Sequence, residues 1–389
     1  MRVVFAGGAT GGHVFVAVAV AQEIQLQCPQ ADILFVGSRR QLGSRAVTSA
    51  GFASYSLSVS GLVGKSFFQR ALAVVQAAKA VWESARLLRR FRADVVLGVG
   101  GYASGPTLLA AWLLGIPTAV CEPNSVPGLT NRLLGFFSRR IYGGFAETVQ
   151  GFSARCAKRF VFTGIPVRAA LRDIHCPKST PHMKTFRILV LGGSQGASAL
   201  NESVPGALYA LKQQGIDVKV LHQSGEGHEH LVQQAYLRHQ LFAEVVPFIQ
   251  NMADAYAQSD LIIARCGAGT CAEITQVGAV AVLVPLPCVA GDHQRHNASC
   301  LAKQGAALLL PQSQLSAENL ACELMKLTCS HQRRQRMQQT AACLAHPQAA
   351  AHIAQDLLCV AKQYSKQKGF IQAPRNLHHN VPTAPHVNR

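Results

Sequence analysis

A short apolar run that ends in a glycine-rich turn occurs near the start of each half of the chain. Residues 2–12 read RVVFAGGATGG, and residues 187–197 read RILVLGGSQGA. The aliphatic residues are typical of a buried parallel strand, and the glycines allow the backbone to turn sharply into a helix. Free N–H groups and the positive end of the helix dipole then face the space above the strand, where a phosphate can bind. Two such units predict two doubly wound α/β domains that face one cleft.

The rest of the sequence continues this alternation of strands and helices. We expect strands at residues 2–6, 32–37, 94–99, 117–121, 140–142 and 160–163 in the first half, and at 187–191, 217–222, 244–246, 260–264 and 280–284 in the second. Residues 170–186 are polar and contain prolines, which indicates a linker and a domain boundary near residue 165. After about residue 363 the sequence loses its periodicity, so we expect disorder there.

Composition is that of a globular protein. The 389 residues are 49% apolar and 14% charged, which is enough to bury two cores. The twelve cysteines form no CxxC pair and lie mostly in apolar segments, so we expect reduced, buried thiols in a cytoplasmic protein without a cleavable leader. No uninterrupted apolar run reaches the roughly 20 residues that a membrane span needs.

A formal net charge of +18 indicates an anionic partner or an anionic surface. Part of the charge lies in the tail. Another part follows the apolar stretch FFQRALAVVQAAKAVW, which ends at Trp82 and leads to Arg86, Arg89 and Arg90. This apolar stretch and the arginines after it predict an amphipathic helix with a cationic end, suited to anionic lipid headgroups. An ordinary core-facing helix with a solvated end gives the same periodicity.

Other nucleotide-binding patterns do not fit. A dinucleotide-binding turn needs GxGxxG, whereas residues 7–12 read GGATGG. No GxxxxGK followed by Ser or Thr occurs, and no DxD is present to hold a bridging cation. We therefore expect no metal site and no cofactor, and a diphosphate neutralised by backbone donors and helix ends.

Several polar side chains follow the second-half strands. Ser194 and Gln195 lie in a glycine turn that suits a diphosphate, although a serine there can equally be a helix N-cap. Glu273 lies one turn into the helix that follows CGAGT, where a carboxylate can accept both hydroxyls of a ribose or simply favour the helix dipole. Residues 292–294, DHQ, offer polar groups to sugar hydroxyls, or form a solvated loop.

The motifs, taken in order along the chain, resemble those of the MurG family, the N-acetylglucosaminyltransferases that convert lipid I to lipid II in bacterial peptidoglycan synthesis. The resemblance covers about residues 1–360 and rests on GGATGGH, VGGYASGP, CEPNSVPGLTN, IPVR, GGSQGA, HQSG, FI at 248–249, RCGAGTCAE and DHQ.

This resemblance implies a GT-B fold, in which two Rossmann-like domains enclose the active cleft. Residues 1–164 would form the acceptor and membrane-associating domain, and 165–340 the domain that binds UDP-N-acetylglucosamine. Residues 341–363 would form a helix that crosses back to the first domain, and 364–389 a disordered basic tail. The acceptor would be a polyprenyl-diphosphate-linked muropeptide. Because its polyprenyl tail would lie in the inner leaflet, the resemblance favours a membrane-docking role for residues 62–90.

The resemblance also implies roles for individual residues. Ile249 would contact uracil through its backbone, Glu273 the ribose hydroxyls, and Arg168 a nearby polar group. Four residues would surround the diphosphate: Ser194, Ala268, Gly269 and Thr270.

The resemblance also implies that both domains would contact the transferred sugar. Gln294 and Asn124 would hold the sugar, and Thr10, Gly11 and Gly12 would form the first-domain wall of the cleft. Tyr102 would help to position the acceptor, although a packing aromatic fits the same pattern.

Inverting transfer requires a base that removes the proton of the attacking hydroxyl. We expect His13 to be that base, since it follows a glycine turn at a helix start, where the dipole keeps an imidazole neutral. A structural histidine is the alternative reading, and Glu122 is the competing base.

The chain departs from the family pattern in three places. Where the family has His-Glu-Gln-Asn, residues 121–124 read CEPN, which removes an imidazole and an amide from the cleft wall. Val16 replaces a proline after GGH, and Ile165 replaces an asparagine before PVR. None of these changes alters Glu273, Thr270 or Gln294.

Two other classes of protein stay open at this stage. A UDP-N-acetylglucosamine epimerase would share the fold and the donor pocket. A non-enzymatic basic protein would bind membranes or nucleic acid through charge alone, but charge would not require both glycine turns, so we expect no nucleic-acid partner. We expect a peripheral protein on the cytoplasmic face of the cell membrane, with the cell-wall synthesis or division machinery as a candidate partner.

Overall fold

Aliphatic residues with alternating strand and helix periods build two parallel sheets. The computed structural model describes residues 1–7, 11–38, 47, 50–57, 67–101, 103–181, 183–193, 195–287 and 290–371. The first sheet has the strand order β3-β2-β1-β4-β5-β6-β7, and all its described pairings are parallel. Its strands are β1 (Arg2–Ala6), β2 (Asp32–Gly37), β3 (Ala53–Ser56), β4 (Val95–Gly98), β5 (Thr118–Glu122), β6 (Arg140–Gly143) and β7 (Phe160–Phe162).

The second sheet repeats this winding, with the order β10-β9-β8-β11-β12-β13 and parallel pairing throughout the described strands. Its first strand, β8, pairs with both β9 and β11, as β1 does with β2 and β4. The strands are β8 (Thr185–Leu191), β9 (Asp217–Gln223), β10 (Ala243–Val246), β11 (Leu261–Ala264), β12 (Ala281–Leu283) and β13 (Leu308–Leu309). The predicted doubly wound α/β class is confirmed.

Helices cover the sheets. Those of the first half are α1 (Gly11–Gln27), α2 (Phe67–Phe91), α3 (Ser104–Leu113), α4 (Leu129–Gly135) and α5 (Ala154–Ala157). Those of the second half are α6 (Ser198–Gln213), α7 (Glu229–Arg238), α8 (Met252–Ala257), α9 (Ala268–Gln276), α10 (His293–Lys303), α11 (Ala317–Thr328), α12 (His331–Cys343) and α13 (Ala349–Ile371).

Two edge strands escaped the sequence prediction. Strand β3 has the sequence ASYS and all four residues are exposed, so it carries no apolar signal. Strand β13 is two residues long. Because an edge strand is paired on one side, it can form with less apolar burial than a central strand needs.

Two further expectations need correction. Helix α13 continues to Ile371, past the predicted start of the disordered tail at residue 364, while residues 372–389 lie outside the described part. The cysteines of the described residues are free, but they are not all buried: Cys322, Cys329, Cys343 and Cys359 are exposed.

Helix α13 packs against the first domain, beside α1. Its Asp356 carboxylate accepts a hydrogen bond from the hydroxyl of buried Tyr142 and another from Nε of Arg140, each at 2.9 Å. Helix α13 is thereby anchored to β6 of the first sheet. The predicted domain limits themselves stay predictions.

Close backbone contact requires glycine in the turn after β1. Gly7 has a φ of +103°, and a Cβ at this position would lie 2.0 Å from the carbonyl oxygen of Gly100. In the second sheet, Gly196 has a φ of +75°, and a Cβ there would lie 2.0 Å from the oxygen of Ser224. Both glycine turns thus bring neighbouring strand ends into direct backbone contact at the mouth of each domain.

We predict that Gly7→Ala lowers the free energy of unfolding more than Gly215→Ala does. Gly215 also has a positive φ, +76°, but nothing lies within 4 Å of a Cβ there. Both variants carry a backbone strain of about 1–2 kcal/mol, and Gly7→Ala adds an overlap cost of about 1–3 kcal/mol. Urea unfolding of both purified variants measures the difference, and equal midpoints would contradict the prediction.

Candidate active site

His13 lies in the first turn of α1, directly after Gly11 and Gly12, which are the first two residues of that helix. A side chain at Gly100 would meet both the His13 ring and the amide of Asn131, so these groups surround the carboxyl end of β4. Burial lowers the pKa of His13; the charge of Glu122 opposes this shift, and His293 at the start of α10 lowers the pKa further. The imidazole is therefore neutral at pH 7, and it lies near groups of both domains.

Glu122, the last residue of β5, is almost completely buried. Its Oε1 accepts hydrogen bonds from the backbone N–H and the side-chain amide of Asn124, both at 3.0 Å. Its Oε2 accepts bonds from the N–H of Gly128 at 3.0 Å and the amide of Asn131 at 2.9 Å. Four donors occupy the carboxylate, which therefore organises the loop between β5 and α4.

Asn124 lies within this network. Its Nδ2 donates to Glu122, its Oδ1 accepts a bond of 3.1 Å from Asn297, and its carbonyl oxygen accepts one from Thr148. The side chain predicted to hold the sugar thus connects the first domain to α10 of the second.

On the opposite wall, Ala268, Gly269 and Thr270 form the first turn of α9. The N-cap residue is Gly267, which has no side chain that could occupy the first amides of the helix. The start of this helix therefore presents backbone N–H groups and the positive end of its dipole, the arrangement that binds phosphate.

Glu273, one turn further into α9, pairs with Arg168. Its Oε1 accepts bonds from Nε and Nη2 of Arg168 at 3.1 and 2.7 Å, and its Oε2 accepts a bond of 3.0 Å from the hydroxyl of Tyr256. The guanidinium also lies 4.7 Å from the ring centre of Phe15 on α1. Burial, and then the neighbouring carboxylate of Glu273, raise the pKa of Tyr256. Two residues predicted to contact the donor are thus joined to each other.

Ile249 is buried, and its backbone N–H donates to Oε1 of Gln223 at 3.1 Å. The Nε2 of Gln223 donates to the carbonyl oxygen of Gly193 at 2.7 Å. One side-chain amide therefore joins the second glycine turn to the segment predicted to contact uracil.

Gln294, on the first turn of α10, joins two loops in the same manner. Its Oε1 accepts bonds from the N–H groups of Cys266 at 3.3 Å and Leu286 at 3.0 Å.

Gln195 is exposed in the second glycine turn. Three predicted site residues lie outside the described residues: Thr10, Tyr102 and Ser194.

Sequence reasoning assigned no role to four polar residues of this region: Asn131, Gln223, Tyr256 and Asn297. Two of them belong to motifs that the sequence displays, since Asn131 ends CEPNSVPGLTN and Gln223 lies in HQSG, and Asn297 lies three residues after the motif DHQ. Tyr256 carried no such signal, because a tyrosine within a short helix fits ordinary packing equally well. In the described part of the chain, no group of three or more His, Cys, Asp or Glu side chains is placed to hold a metal ion.

Family models match both halves of the chain. The N-terminal domain of glycosyltransferase family 28 matches residues 3–143, and the C-terminal domain of the same family matches residues 187–356. These matches, together with the two parallel-sheet domains that face one cleft, show that the chain is a glycosyltransferase with the GT-B fold.

Similar proteins of known name indicate one particular kind of glycosyltransferase. The UDP-N-acetylglucosamine–N-acetylmuramyl-(pentapeptide) pyrophosphoryl-undecaprenol N-acetylglucosamine transferase of Syntrophus aciditrophicus is 39% identical over 362 residues, 93% of this chain and 99% of that protein. The protein of the same name from Anaeromyxobacter sp. is 41% identical over 354 residues, 91% of this chain and 92% of that protein.

Solved structures agree with these relatives. The crystal structure of Acinetobacter baumannii MurG superposes with a TM-score of 0.75 at 32% identity, over 92% of this chain and 99% of that one. A UDP-GlcNAc 2-epimerase from Neisseria meningitidis reaches a TM-score of 0.66 at 13% identity, over 92% of this chain and all of that one, a likeness of fold alone. The chain belongs to the MurG family of glycosyltransferases, and the resemblance carried by its motifs is confirmed.

We predict that the imidazole of His13 titrates below its usual pKa of about 6.5, and that His293→Gln raises that pKa. Removing the second charge removes a repulsion that disfavours protonation of His13. Chemical shifts of the His13 ring protons, followed by NMR between pH 4 and 8, measure the midpoint.

His296→Gln is the matched control, since His296 is exposed on the same helix as His293. This variant should leave the His13 midpoint unchanged. An identical midpoint in wild type and His293→Gln would show that the two rings do not interact across the cleft.

Proposed function

We propose that this chain transfers N-acetylglucosamine from UDP-N-acetylglucosamine to the 4-hydroxyl of the N-acetylmuramyl sugar of undecaprenyl-diphospho-N-acetylmuramyl-pentapeptide, with inversion at the anomeric carbon. The product is lipid II. The names of the relatives support this substrate pair. The observation that carries the mechanism is the place of His13 at the mouth of the first domain, where burial lowers its pKa and where Glu122 and His293 of the second domain are its charged neighbours.

The donor binds mainly on the second domain. The first amides of α9, in Ala268, Gly269 and Thr270, receive the diphosphate and stabilise the charge that develops on the leaving UDP. Glu273 contacts the ribose. Its carboxylate already accepts bonds from Arg168 and Tyr256, which hold it at a fixed angle, and Oε2 retains an acceptor position for a ribose hydroxyl.

Uracil binds beside Ile249. The Gln223 amide that now accepts from the Ile249 N–H shifts when uracil takes that donor. Gln294 and Asn124 contact the transferred sugar from the two sides of the cleft.

His13 serves as the general base. A neutral imidazole accepts the proton of the attacking hydroxyl, and a lowered pKa keeps it neutral at physiological pH. Glu122 fits this task less well, because hydrogen bonds from Asn124, Gly128 and Asn131 occupy both of its oxygens. Its negative charge instead stabilises the imidazolium that forms during transfer.

We predict that His13→Ala lowers turnover by about 10²- to 10⁴-fold, the usual contribution of a general base. Glu273→Ala should mainly weaken donor affinity and raise the KM for UDP-N-acetylglucosamine. UDP release that depends on a lipid I analogue measures both effects, and His352→Ala, an exposed histidine of α13, is the control.

Full turnover in His13→Ala would move the base assignment to Glu122. Release of a soluble epimer, with no sugar transferred to the lipid acceptor, would show that the chain is an epimerase and would contradict the proposed transferase activity.

We further propose that the first domain docks on anionic lipid at the cytoplasmic face of the membrane. Helix α2 presents Val75 and Trp82, which are 65% and 64% exposed, on the same face as exposed Lys79 and Arg86. Arg86 lies 6.0 Å from the ring centre of Trp82. An apolar side chain flanked by cations suits the interface between headgroups and acyl chains.

Neighbouring elements of the first domain carry further exposed apolar residues. Helix α3, which packs along α2, ends with exposed Trp112 and Leu113, and Trp112 contacts exposed Phe137 with ring centres 4.8 Å apart. Arg139, which is also exposed, lies two residues after Phe137, and exposed Arg132 lies on α4. Within the described residues, no helix combines the length and apolarity that a membrane span requires. Residues 62–66 and the side chains of 67–74, part of the predicted docking stretch, lie outside the described part.

We predict that vesicles rich in anionic lipid bind the protein at low salt, and that Trp82→Ser reduces the bound fraction. Leu237→Ser is the control, because Leu237 has a similar exposure, 62%, but lies on α7 of the second domain. Co-sedimentation with vesicles measures binding. Equal recovery with neutral and anionic vesicles would contradict the electrostatic part of the proposal, and equal loss in both variants would contradict the location.

A further inference from the structure

Asn297, on α10, is fully buried and uses its side-chain amide for four hydrogen bonds. Its Oδ1 accepts bonds from the N–H and the hydroxyl of Ser125, both at 2.9 Å. Its Nδ2 donates to Oδ1 of Asn124 at 3.1 Å and to the carbonyl oxygen of Cys266 at 3.3 Å. All the hydrogen-bonding positions of one amide are occupied.

The partners of this amide belong to different domains. Ser125 and Asn124 follow β5 of the first sheet, whereas Cys266 follows β11 of the second sheet and immediately precedes the N-cap of α9. One buried side chain therefore joins the loop after β5 to the turn that begins α9.

Each partner is connected in turn to a residue of the proposed site. Asn124 donates to Glu122, and Glu122 affects the charge of His13. On the other side, the N–H of Cys266 donates to Gln294. If Asn297 changes its orientation, the loop that carries Asn124 moves relative to the turn that carries Cys266. The groups that meet the acceptor are then displaced relative to the groups that meet the donor.

Loss of this amide cannot be compensated by water without opening the interface, because Asn297, Ser125 and Cys266 are all buried. Buried donors and acceptors without partners are costly, so the two loops would separate to become hydrated. The amide thus favours one arrangement of the two domains over others.

We propose that Asn297 is a positioning residue that fixes the alignment of the two domains across the cleft. It holds the acceptor-side loop and the donor-side helix start at the separation that transfer requires. The proposal rests on the proposed function for its kinetic consequence, but its structural consequence, the protection of Ser125, is independent of activity.

The experiment is a double-mutant cycle with Ser125→Ala, Asn297→Ala and the double variant. The full chain is used, and turnover with a lipid I analogue is measured together with the dissociation constant for UDP by calorimetry. Hydrogen exchange at the backbone N–H of Ser125 is measured without ligand. The control is Asn201→Ala, since Asn201 is also a buried, hydrogen-bonded asparagine but its partners, His222 and Ser224, lie within the second domain.

Ser125→Ala should lower kcat about tenfold, the equivalent of one buried hydrogen bond, with little change in the affinity for UDP. Asn297→Ala should lower kcat about 10²-fold, as a displacement of reacting groups by about 1 Å does. The double variant should be no slower than Asn297→Ala, since both changes break the same connection. Exchange at Ser125 should accelerate about tenfold or more in Asn297→Ala and stay unchanged in Asn201→Ala.

Two results would overturn the proposal. If Asn297 only shapes the donor site, Ser125→Ala has normal turnover and the effects of the two substitutions multiply. If it contributes only to overall stability, exchange at Ser125 rises equally in Asn201→Ala. Should Asn297→Ala fail to fold, Ser125→Ala still gives the kinetic test. Wild-type protein that transfers no sugar would defeat the proposed function, while the exchange comparison would still decide the role of Asn297.

Discussion

Direct backbone contact between neighbouring turns at the carboxyl edge of each sheet is the constraint on which the site depends. Gly7 touches Gly100 in the first domain, and Gly196 touches Ser224 in the second. Since parallel strands all end at the same edge, these contacts place the starts of the following helices at one mouth per domain. This packing places His13 of α1 beside the end of β4. It also places the second glycine turn beside the end of β9.

Polar side chains then connect the two mouths. Glu122 is held by four donors, and its network continues through Asn124 and Asn297 to Cys266. The pair of Arg168 and Glu273 forms a second connection, because Arg168 also stacks on Phe15 of α1. Both connections lie in buried or half-buried surroundings, where hydrogen bonds are stronger than in water and unpaired groups cost more. The cleft therefore has a preferred geometry before any ligand binds.

Central strands were predictable, and edge strands were not. Strands β1, β2, β4 and β5 carry continuous apolar runs because both faces of a parallel sheet are covered by helices. Strand β3 is exposed and polar, and β13 is too short to show a period, so neither has a pattern that distinguishes it from a loop. The end of α13 was also misplaced, since the polar residues near 364 fit a tail as well as an exposed helix end.

The sequence by itself determined the doubly wound class and the two glycine turns, and it supplied the motifs from which the site residues were proposed, because strand periodicity and glycine spacing are local properties. Tertiary structure alone decided which of those residues meet. It brought Arg168 to Glu273 across 105 positions of sequence and Ser125 to Asn297 across 172. It also brought four hydrogen-bond donors to the carboxylate of Glu122 and placed His293 near His13. Protonation and hydrogen bonding depend on distances between segments far apart in the chain, and no local pattern specifies such distances.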